Sequence, residues 1–217
     1  MTATIITIAQ RKGGAGKTTL AAHLGVTWAS HGRVVTLIDT DPQASLTQWY
    51  HKREARMGPA GTGLRFGAAT GWRAVGEIAQ HARQSDIVLI DSPANADGDA
   101  RAAMRSAGLV LVPVQPSPVD VWATLPTLDI ARQERVPALL VLNRVPARAC
   151  LTSAMRAKLA TYDVGLAQSA IGNRIALAAA FAEGWGIGES DGGSPAAGEI
   201  AALAAELLDL LPKAQAA

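Results

Sequence analysis

Short runs of apolar, mostly branched residues alternate along the chain with longer, alanine-rich stretches. Each run is nearly continuous in apolar character, which is typical of strands buried on both faces of a parallel sheet. The pattern predicts five strands, at Thr4–Ala9, Val34–Asp39, Ile87–Asp91, Gly108–Val114 and Ala138–Asn143. The stretches between them predict helices at Lys17–Ser30, Ser45–Met57, Trp72–Arg83, Ala94–Ala107, Val121–Arg135 and Cys150–Thr161. This alternation predicts an α/β three-layer sandwich with a mostly parallel, twisted sheet.

Two glycine-rich segments interrupt the alternation. The first, Gly58–Gly63, is predicted to be a connecting loop. The second, Gly184–Gly198, is predicted to be a surface loop that precedes a last helix at Glu199–Leu211. Since the chain shows no internal repeat and no long linker, we expect residues 1–217 to form a single domain.

The segment between the first predicted strand and the first predicted helix carries the clearest chemical signal. It reads QRKGGAGKTT from Gln10 to Thr19. In a glycine-rich loop of this kind, backbone N–H groups and the positive end of the helix dipole bind phosphate oxygens. Lys17 would reach the β- and γ-phosphates, and the Thr18 hydroxyl would ligate Mg²⁺. The backbone groups expected to cradle the phosphates are those of Gly13, Gly14, Ala15, Gly16, Lys17, Thr18 and Thr19.

The loop departs from the common phosphate-loop pattern in one respect. Arg11 stands where the first glycine of that pattern would be, and an extra lysine, Lys12, precedes Gly13. This is the deviant Walker A motif, and the chain resembles the ParA/MinD family of ATPases. The resemblance implies a P-loop NTPase fold and Mg²⁺-dependent hydrolysis of ATP to ADP and phosphate. It also implies that Lys12 crosses the interface of an ATP-bridged homodimer and contacts the phosphates of the partner's ATP.

Acidic residues end two of the predicted strands. Asp39 and Asp41 follow the second run, and Asp91 follows the third. The carboxyl ends of parallel strands meet at one edge of a sheet, where a phosphoryl-transfer site needs Mg²⁺ and a positioned water. The resemblance implies that Asp41 orients or activates this water, that Asp91 holds Mg²⁺ through a water ligand, and that Asp39 supports the Mg²⁺ shell. The alternative is that Asp39 and Asp91 only cap the elements that follow them.

Two further segments are expected at the same edge of the sheet. One is the proline-rich segment at residues 111–120, and the other ends the fifth strand at residues 141–144. A nucleotide base needs an apolar slot with a few polar groups. The resemblance implies that both segments flank adenine, with contacts from Asn143, Pro116 and Asp120. The alternative for the first segment is a rigid turn without a ligand.

The proline-rich segment also resembles the short, ParF-like branch of plasmid partition ATPases, as does Glu189–Gly192. Members of that branch lack an N-terminal helix-turn-helix domain. The phosphate loop begins within the first dozen residues, so we expect no such domain here and no operator recognition by that route.

The formal net charge of +2 conceals an uneven distribution. Residues 132–174 carry a net charge of +5, whereas residues 175–217 carry −5. A basic face binds DNA through its phosphates without reading the sequence. The resemblance implies that the ATP-bound dimer binds nonspecific DNA in this way, and our candidates are Arg148, Arg156, Lys158 and Arg174. The alternative is an ordinary solvated helix face.

Other features exclude several classes of protein. The single cysteine, Cys150, excludes an internal disulfide and the paired cluster cysteines of the nitrogenase iron protein, and it favours a reducing, cytoplasmic setting. The four histidines show no metal-ligand spacing. No apolar run is long enough for a transmembrane helix. The polar face of the last predicted helix carries Glu199, Glu206 and Asp209, which disfavours binding to anionic lipid.

Together these features predict a cytoplasmic ATPase that switches between monomer and dimer. In the ATP state we expect it to be associated with the nucleoid and to partition or position a plasmid, a chromosome or a protein cargo. A small adaptor or centromere-binding protein is expected to stimulate hydrolysis. One alternative is a metabolic ATP-dependent amidase or ligase on the same fold, although no insertion offers a substrate pocket. Another is a MinD-like, membrane-associated positioning ATPase.

Overall fold

A computed structural model describes residues 3–71, 73–94, 97–147 and 150–210. Its strands are β1 (Thr4–Ile8), β2 (Val35–Asp39), β3 (Arg65–Ala68), β4 (Ile87–Asp91), β5 (Leu109–Val114), β6 (Ala138–Val145) and β7 (Gly165–Gly172). All pair in parallel in one sheet, in the order β3-β2-β4-β1-β5-β6-β7. The sheet is therefore parallel, as the sequence predicts.

The helices lie in two layers that cover the two faces of this sheet. One layer packs on the largest apolar cluster and consists of α1 (Lys17–Ser30), α2 (Ser45–Met57), α7 (Ile175–Ala182), α8 (Ile187–Ser190) and α9 (Pro195–Leu210). The other consists of α3 (Arg73–Ala82), α4 (Asp97–Arg105), α5 (Pro118–Gln133) and α6 (Cys150–Leu159). Because helices cover both faces, the inner strands are apolar at almost every position, as in β4, whose five residues are all buried.

The sequence prediction missed both edge strands. β3 is only four residues long, lies partly exposed and contains a central glycine. β7 mixes small, polar and apolar residues and pairs with β6 through register shifts. An edge strand that is half solvated lacks the continuous apolar run by which a buried strand is recognised. The five inner strands, by contrast, lie within one or two residues of their predicted bounds.

The glycine-rich segment predicted as a loop at residues 184–198 is instead partly helical. It contains α8, and α9 begins at Pro195, four residues before the predicted start. The short helix is anchored by Glu189, whose carboxylate accepts two hydrogen bonds of 2.7 Å from the buried Arg53 guanidinium. Arg53 also donates to the carbonyls of Thr62 and Gly184. This buried ion pair orders a segment whose glycine content alone indicates a loop.

The sequence also gave no indication of α7, and two predicted helix ends, Trp72 and Leu211, lie outside the described residues. Among the described residues, no helix combines the length and the apolar character that crossing a bilayer requires.

The register of the inner strands places the predicted site residues together. Asp91 lies opposite Ile8 of β1 on one side and opposite Asp39 of β2 on the other. Consequently the glycine-rich loop that follows β1 begins beside Asp91, and Asp39 lies one strand further along the same edge. The edge of the sheet formed by these carboxyl ends is where the candidate site lies.

Candidate functional site

The glycine-rich loop joins β1 to α1 and is held open by two glycines in left-handed conformations. Gly14 has φ of 76° and Gly16 has φ of 93°. A Cβ atom at Gly16 would lie 2.4 Å from the side-chain amide nitrogen of Asn143, so any other residue here would have to displace that side chain. That amide donates a 2.7 Å hydrogen bond to the carbonyl of Ala15. Gly16 is the N-cap of α1 and provides no side-chain cap, which leaves the first-turn N–H groups directed toward an anion site.

A buried polar network fixes the start of this loop against α5. The Gln10 side chain donates to the carbonyl of Pro113 at 3.3 Å and to the Thr124 hydroxyl at 3.2 Å. The Thr127 hydroxyl donates to Gln10 at 3.0 Å and accepts the backbone N–H of Arg11 at 3.1 Å. The loop therefore leaves the strand at a fixed angle. Sequence reasoning missed this network, although a polar Gln10 directly after an apolar strand was a signal for it.

Lys17 begins α1 and lies buried beneath the loop. Its ammonium donates to the carbonyl of Gln10 at 3.3 Å. Burial lowers the pKa of Lys17, and the negative charges of Asp91 and Asp41 oppose this shift only in part. A cation that is largely removed from water and incompletely paired binds an anion strongly, because the anion restores the lost solvation.

Asp91 is the last residue of β4, is 1% exposed, and neither of its carboxylate oxygens has a hydrogen-bond partner among the described residues. Burial raises the pKa of Asp91 to about 7; the nearby Thr18 hydroxyl, which does not reach hydrogen-bond geometry, and the Lys17 charge lower it in part, whereas Asp39 and Asp41 add to the increase. An unpartnered buried carboxylate is costly unless a cation compensates it. Asp91 and the Thr18 hydroxyl thus fit the protein side of a Mg²⁺ site.

Such a site would draw its remaining ligands from elsewhere. Within the part of the chain that the structure describes, no group of three or more histidine, cysteine, aspartate or glutamate side chains could hold a metal ion. Mg²⁺ commonly keeps several waters and binds through one or two protein oxygens together with substrate phosphates. The sparse donor set is therefore the kind that a nucleotide-bound Mg²⁺ uses.

Asp39 and Asp41, unlike Asp91, accept hydrogen bonds from nearby residues. The Asp39 carboxylate accepts hydrogen bonds from the Thr47 N–H at 2.8 Å and the Thr47 hydroxyl at 2.7 Å, and it accepts the Asp41 N–H at 3.0 Å. Asp39 thus holds the first turn of α2, as the capping alternative predicts. Asp41 lies in the loop after β2 and uses one oxygen to accept the N–H of Gln43 at 3.0 Å. Its charge acts on Lys17, which places it at the same edge of the sheet.

A cavity of about 280 Å³ lies beside the glycine-rich loop, between α1, the end of β6 and the start of α7. Of the three residues expected to contact the base, Asn143 lines this cavity together with Gly16 of the phosphate loop, but neither Pro116 nor Asp120 does. The sequence missed the opposite wall because it missed both β7 and α7. The residues of that wall include Gly172, Asn173, Arg174, Ile175, Leu177 and Ala178.

His23 connects this wall to the helix that carries the loop. Its ring is fully buried in α1; Nδ1 accepts the N–H of Ile187 at 3.0 Å, so Nε2 carries the proton and donates to the carbonyl of Leu177 at 3.0 Å. Burial lowers the pKa of His23 to about 4. The neutral imidazole therefore holds α7 and α8 against α1.

Asp120 lies with Lys12 instead of in the cavity. The Lys12 ammonium is 2.8 Å from one oxygen of the Asp120 carboxylate. The other oxygen accepts the hydroxyl of Ser117, the N-cap of α5, and that hydroxyl accepts the N–H of Asp120 at 3.2 Å. Asp120, which we expected to contact adenine, thus forms an ion pair with Lys12 in this structure.

Some of the candidate DNA-binding residues already make contacts within the chain. Arg148 lies outside the described residues. Arg156 donates to the carbonyls of Ala167 and Gln168, at 3.2 and 3.3 Å. Lys158 is exposed near the end of α6.

The acidic stretch of the chain lies directly against part of the basic one. Arg174 pairs with Glu199 at 2.6 Å. Glu206 accepts the backbone N–H groups of Gln168 and Ser169, at 2.7 and 2.8 Å. The helix that carries these glutamates packs its apolar side on the sheet, through the buried residues Ile200, Leu203 and Leu207. Glu199 and Glu206 of α9 thus bind residues at and beside β7, and part of the acidic block lies against part of the basic one.

Comparison with known proteins adds to this geometry. Residues 6–184 match the CobQ/CobB/MinD/ParA nucleotide binding domain. The maintenance of carboxysome distribution protein A of Halothiobacillus neapolitanus is 29% identical over 82% of this chain and 84% of its own length. Protein ParA of Rhizobium radiobacter is 32% identical over 60% of this chain and 57% of its own length. The crystal structure of the cell division ATPase MinD of Pyrococcus furiosus aligns with a TM-score of 0.78 at 24% identity, covering 96% of this chain and 99% of that one.

Proposed function

The chain belongs to the CobQ/CobB/MinD/ParA family of nucleotide-binding domains, and on that premise we propose that it is a Mg²⁺-dependent ATPase of the ParA/MinD type. The family and the P-loop fold that the sequence predicts are both confirmed by the match and by the structural likeness to MinD.

The observation that carries the proposal is the unpartnered Asp91 carboxylate, buried beside Lys17 and the first turn of α1. The α1 N-terminus and the loop N–H groups would bind the phosphates, and Lys17 would neutralise charge that develops on them. Asp91 and Thr18 would hold Mg²⁺, which would supply positive charge to neutralise the phosphates. Asp41, on the loop after β2, would orient the attacking water.

The base would lie in the cavity that Asn143 and the α7 wall enclose. The Asn143 amide nitrogen is committed to the carbonyl of Ala15, so the asparagine is fixed in orientation before a ligand arrives. A preorganised side chain loses little conformational freedom on binding, which favours affinity. We therefore propose Asn143 as the polar residue that faces the base.

At the level of the whole molecule we propose an ATP-bridged homodimer that binds nonspecific DNA and positions a cargo. The names of the relatives, a carboxysome distribution protein and ParA, support a positioning or partitioning role. Lys12 would contact the phosphates of the partner's ATP, and an adaptor would stimulate hydrolysis. These relatives do not favour the metabolic amidase alternative.

For the DNA surface we propose Lys158, together with Arg148 and those parts of Arg156 and Arg174 that stay accessible. Dimerisation would double the number of phosphates contacted, and affinity for DNA falls steeply with salt in proportion to that number. Doubling the number of phosphate contacts would thus make DNA binding depend strongly on whether ATP holds the dimer together.

Catalysis can be tested with purified protein. We expect Asp91→Asn to raise the Mg²⁺ concentration that ATP hydrolysis requires and to reduce turnover strongly, while Asp129→Asn, a surface change on α5, leaves both intact. Hydrolysis by Asp91→Asn at the rate and Mg²⁺ dependence of the parent protein would refute the assignment of the metal site.

The DNA proposal has its own test. Asp41→Ala with ATP should accumulate a dimer that retards nonspecific DNA at low salt. In that background Lys158→Ala should lower the salt slope of binding by about 2, since each dimer loses two phosphate contacts. Lys52→Ala, which removes a lysine paired with Glu183, is the matched control. A trapped dimer that does not bind DNA would refute this part of the proposal.

A further inference from the structure

The lysine that the proposed dimer needs in its partner is held by its own chain. The Nζ atom of Lys12 lies 2.8 Å from the Oδ1 atom of Asp120, and this ion pair is largely shielded from solvent. The Asp120 side chain is 8% exposed and that of Lys12 is 35% exposed. The contact joins two segments that are 108 positions apart in sequence, so it forms only when the loop packs on α5.

Asp120 has no freedom to follow the lysine. Its second carboxylate oxygen accepts the Ser117 hydroxyl, and its N–H is bound to the same hydroxyl. It also lies in the first turn of α5, where the helix dipole stabilises a negative charge. The carboxylate is therefore fixed in place, and the lysine is the mobile member of the pair.

The backbone around Lys12 is fixed as well. The Gln10 side chain anchors the preceding residues to Thr124 and Thr127 in the middle of α5. Since both the loop and the acceptor are rigid, Lys12 can reach another chain only by rotating its side chain away from Asp120. Contact with a partner's phosphate and contact with Asp120 compete for one ammonium group.

We propose that Asp120 is a positioning residue that retains Lys12 in the single chain and thereby raises the concentration at which the ATP-bound dimer forms. The inference rests on the proposed function, because it takes Lys12 to act across a dimer interface. Asp120 does not line the base cavity, so removing its charge should change dimerisation without changing the affinity of one chain for nucleotide.

The expected effect follows from the exposure of the pair. A partly exposed ion pair of this kind favours the bound lysine over the released lysine by a factor of about five in the equilibrium constant. Each dimer releases two such lysines, so Asp120→Asn should tighten nucleotide-dependent dimerisation roughly 25-fold, the product of two factors of about five. The asparagine retains an oxygen for Ser117 and keeps the helix cap.

The first experiment measures the dimer dissociation constant by sedimentation in the presence of AMPPNP. The matched control is Asp129→Asn, which removes a carboxylate from the exposed side of α5, where it pairs with Arg132. We expect tighter dimerisation for Asp120→Asn and no change for the control. If both variants behave alike, or if Asp120→Asn weakens the dimer, the proposal is wrong.

Two further variants separate this proposal from the function on which it rests. Lys12→Ala should weaken the dimer, and adding Asp120→Asn to Lys12→Ala should then have no effect. If Lys12→Ala dimerises as the parent does, the role of Lys12 across the interface fails. If Lys12→Ala weakens the dimer but Asp120→Asn still tightens it in that background, only the retention of Lys12 by Asp120 fails.

A second measurement needs neither ATP nor a dimer. In nucleotide-free protein, the rate at which an amine-reactive reagent acylates Lys12 can be followed by mass spectrometry, with the exposed Lys158 as internal reference. We expect Asp120→Asn to raise the rate at Lys12 about fivefold relative to Lys158. An unchanged ratio in folded protein, verified by thermal melting, would show that Asp120 does not retain the lysine.

Discussion

Replacing Gly16 by alanine tests the geometry of the phosphate loop at one atom. The residue has φ of 93°, and the added methyl group would lie 2.4 Å from the Asn143 amide nitrogen. The left-handed conformation costs an alanine about 1–2 kcal/mol. If Asn143 moves aside, the hydrogen bond to Ala15 is lost as well, at about 1 kcal/mol.

In the variant the free loop relaxes away from this strained conformation and nucleotide binding has to restore it, so the two effects together predict a loss of about 2–3 kcal/mol in nucleotide affinity, or roughly 30–150-fold in dissociation constant. Titration calorimetry with ATP measures it directly. Gly13→Ala is the matched control, because a Cβ atom there meets nothing within 4 Å and its φ is not positive. We expect the control to bind nucleotide within a few-fold of the parent protein.

A double variant identifies the cause of the loss. If the collision with Asn143 contributes, then Gly16→Ala combined with Asn143→Ala should lose less affinity than the sum of the two single losses. Equal affinities of Gly16→Ala and Gly13→Ala would refute the reasoning, since the conformational and steric differences between the two sites would then have no consequence.

Three other predictions concern stability. Because the pKa of Asp91 is raised to about 7, the folded chain keeps a proton between pH 4 and 7 that the unfolded chain loses. Without Mg²⁺, the free energy of unfolding should therefore fall by up to about 4 kcal/mol as the pH rises from 4 to 7. Urea titrations of Asp91→Asn should show no such fall. His23 has the opposite effect: its pKa is lowered to about 4, so between pH 6.5 and 4 the unfolded chain binds a proton that the folded chain does not. The free energy of unfolding should therefore fall as the pH drops through this range, and His23→Gln should not show this fall. Arg53→Lys should lower the free energy of unfolding by about 3 kcal/mol, because lysine cannot replace the bidentate pairing with Glu189. Arg56→Lys, at an exposed ion pair, should lower it by less than about 1 kcal/mol. Similar losses for the two variants in urea denaturation would contradict the role of the buried Arg53–Glu189 pair.

The phosphate loop could be identified from sequence because its chemistry is local. Glycines, a lysine and a threonine at fixed spacing, between an apolar strand and an alanine-rich helix, define it within about ten residues. Asp91 was predicted for a similar reason, since it ends a buried strand and β-strand registers then bring it beside the loop. Its lack of a partner, however, depends on the surrounding packing and is visible only in the structure.

The remaining parts of the site depend on contacts between distant segments. Asp120 was expected at the base, but the packing of α5 on the loop brings it to Lys12. The cavity wall at Asn173 and Ile175 follows an edge strand that the apolar pattern does not reveal. Summing charges along the chain likewise does not reveal the ion pair of Arg174 with Glu199, because the two residues fall in different charge blocks and pair only in space.

The side chains that bind β7 also close the edge of the sheet. Glu206 occupies the N–H groups of Gln168 and Ser169, and Arg156 occupies the carbonyls of Ala167 and Gln168. Backbone groups that are already bonded cannot pair with a strand from another molecule. The opposite edge is the short strand β3, only four residues long, which offers little length for such pairing. Strand-by-strand growth into aggregates is thus suppressed at both ends of the sheet, and copies of the chain are left to meet through other surfaces.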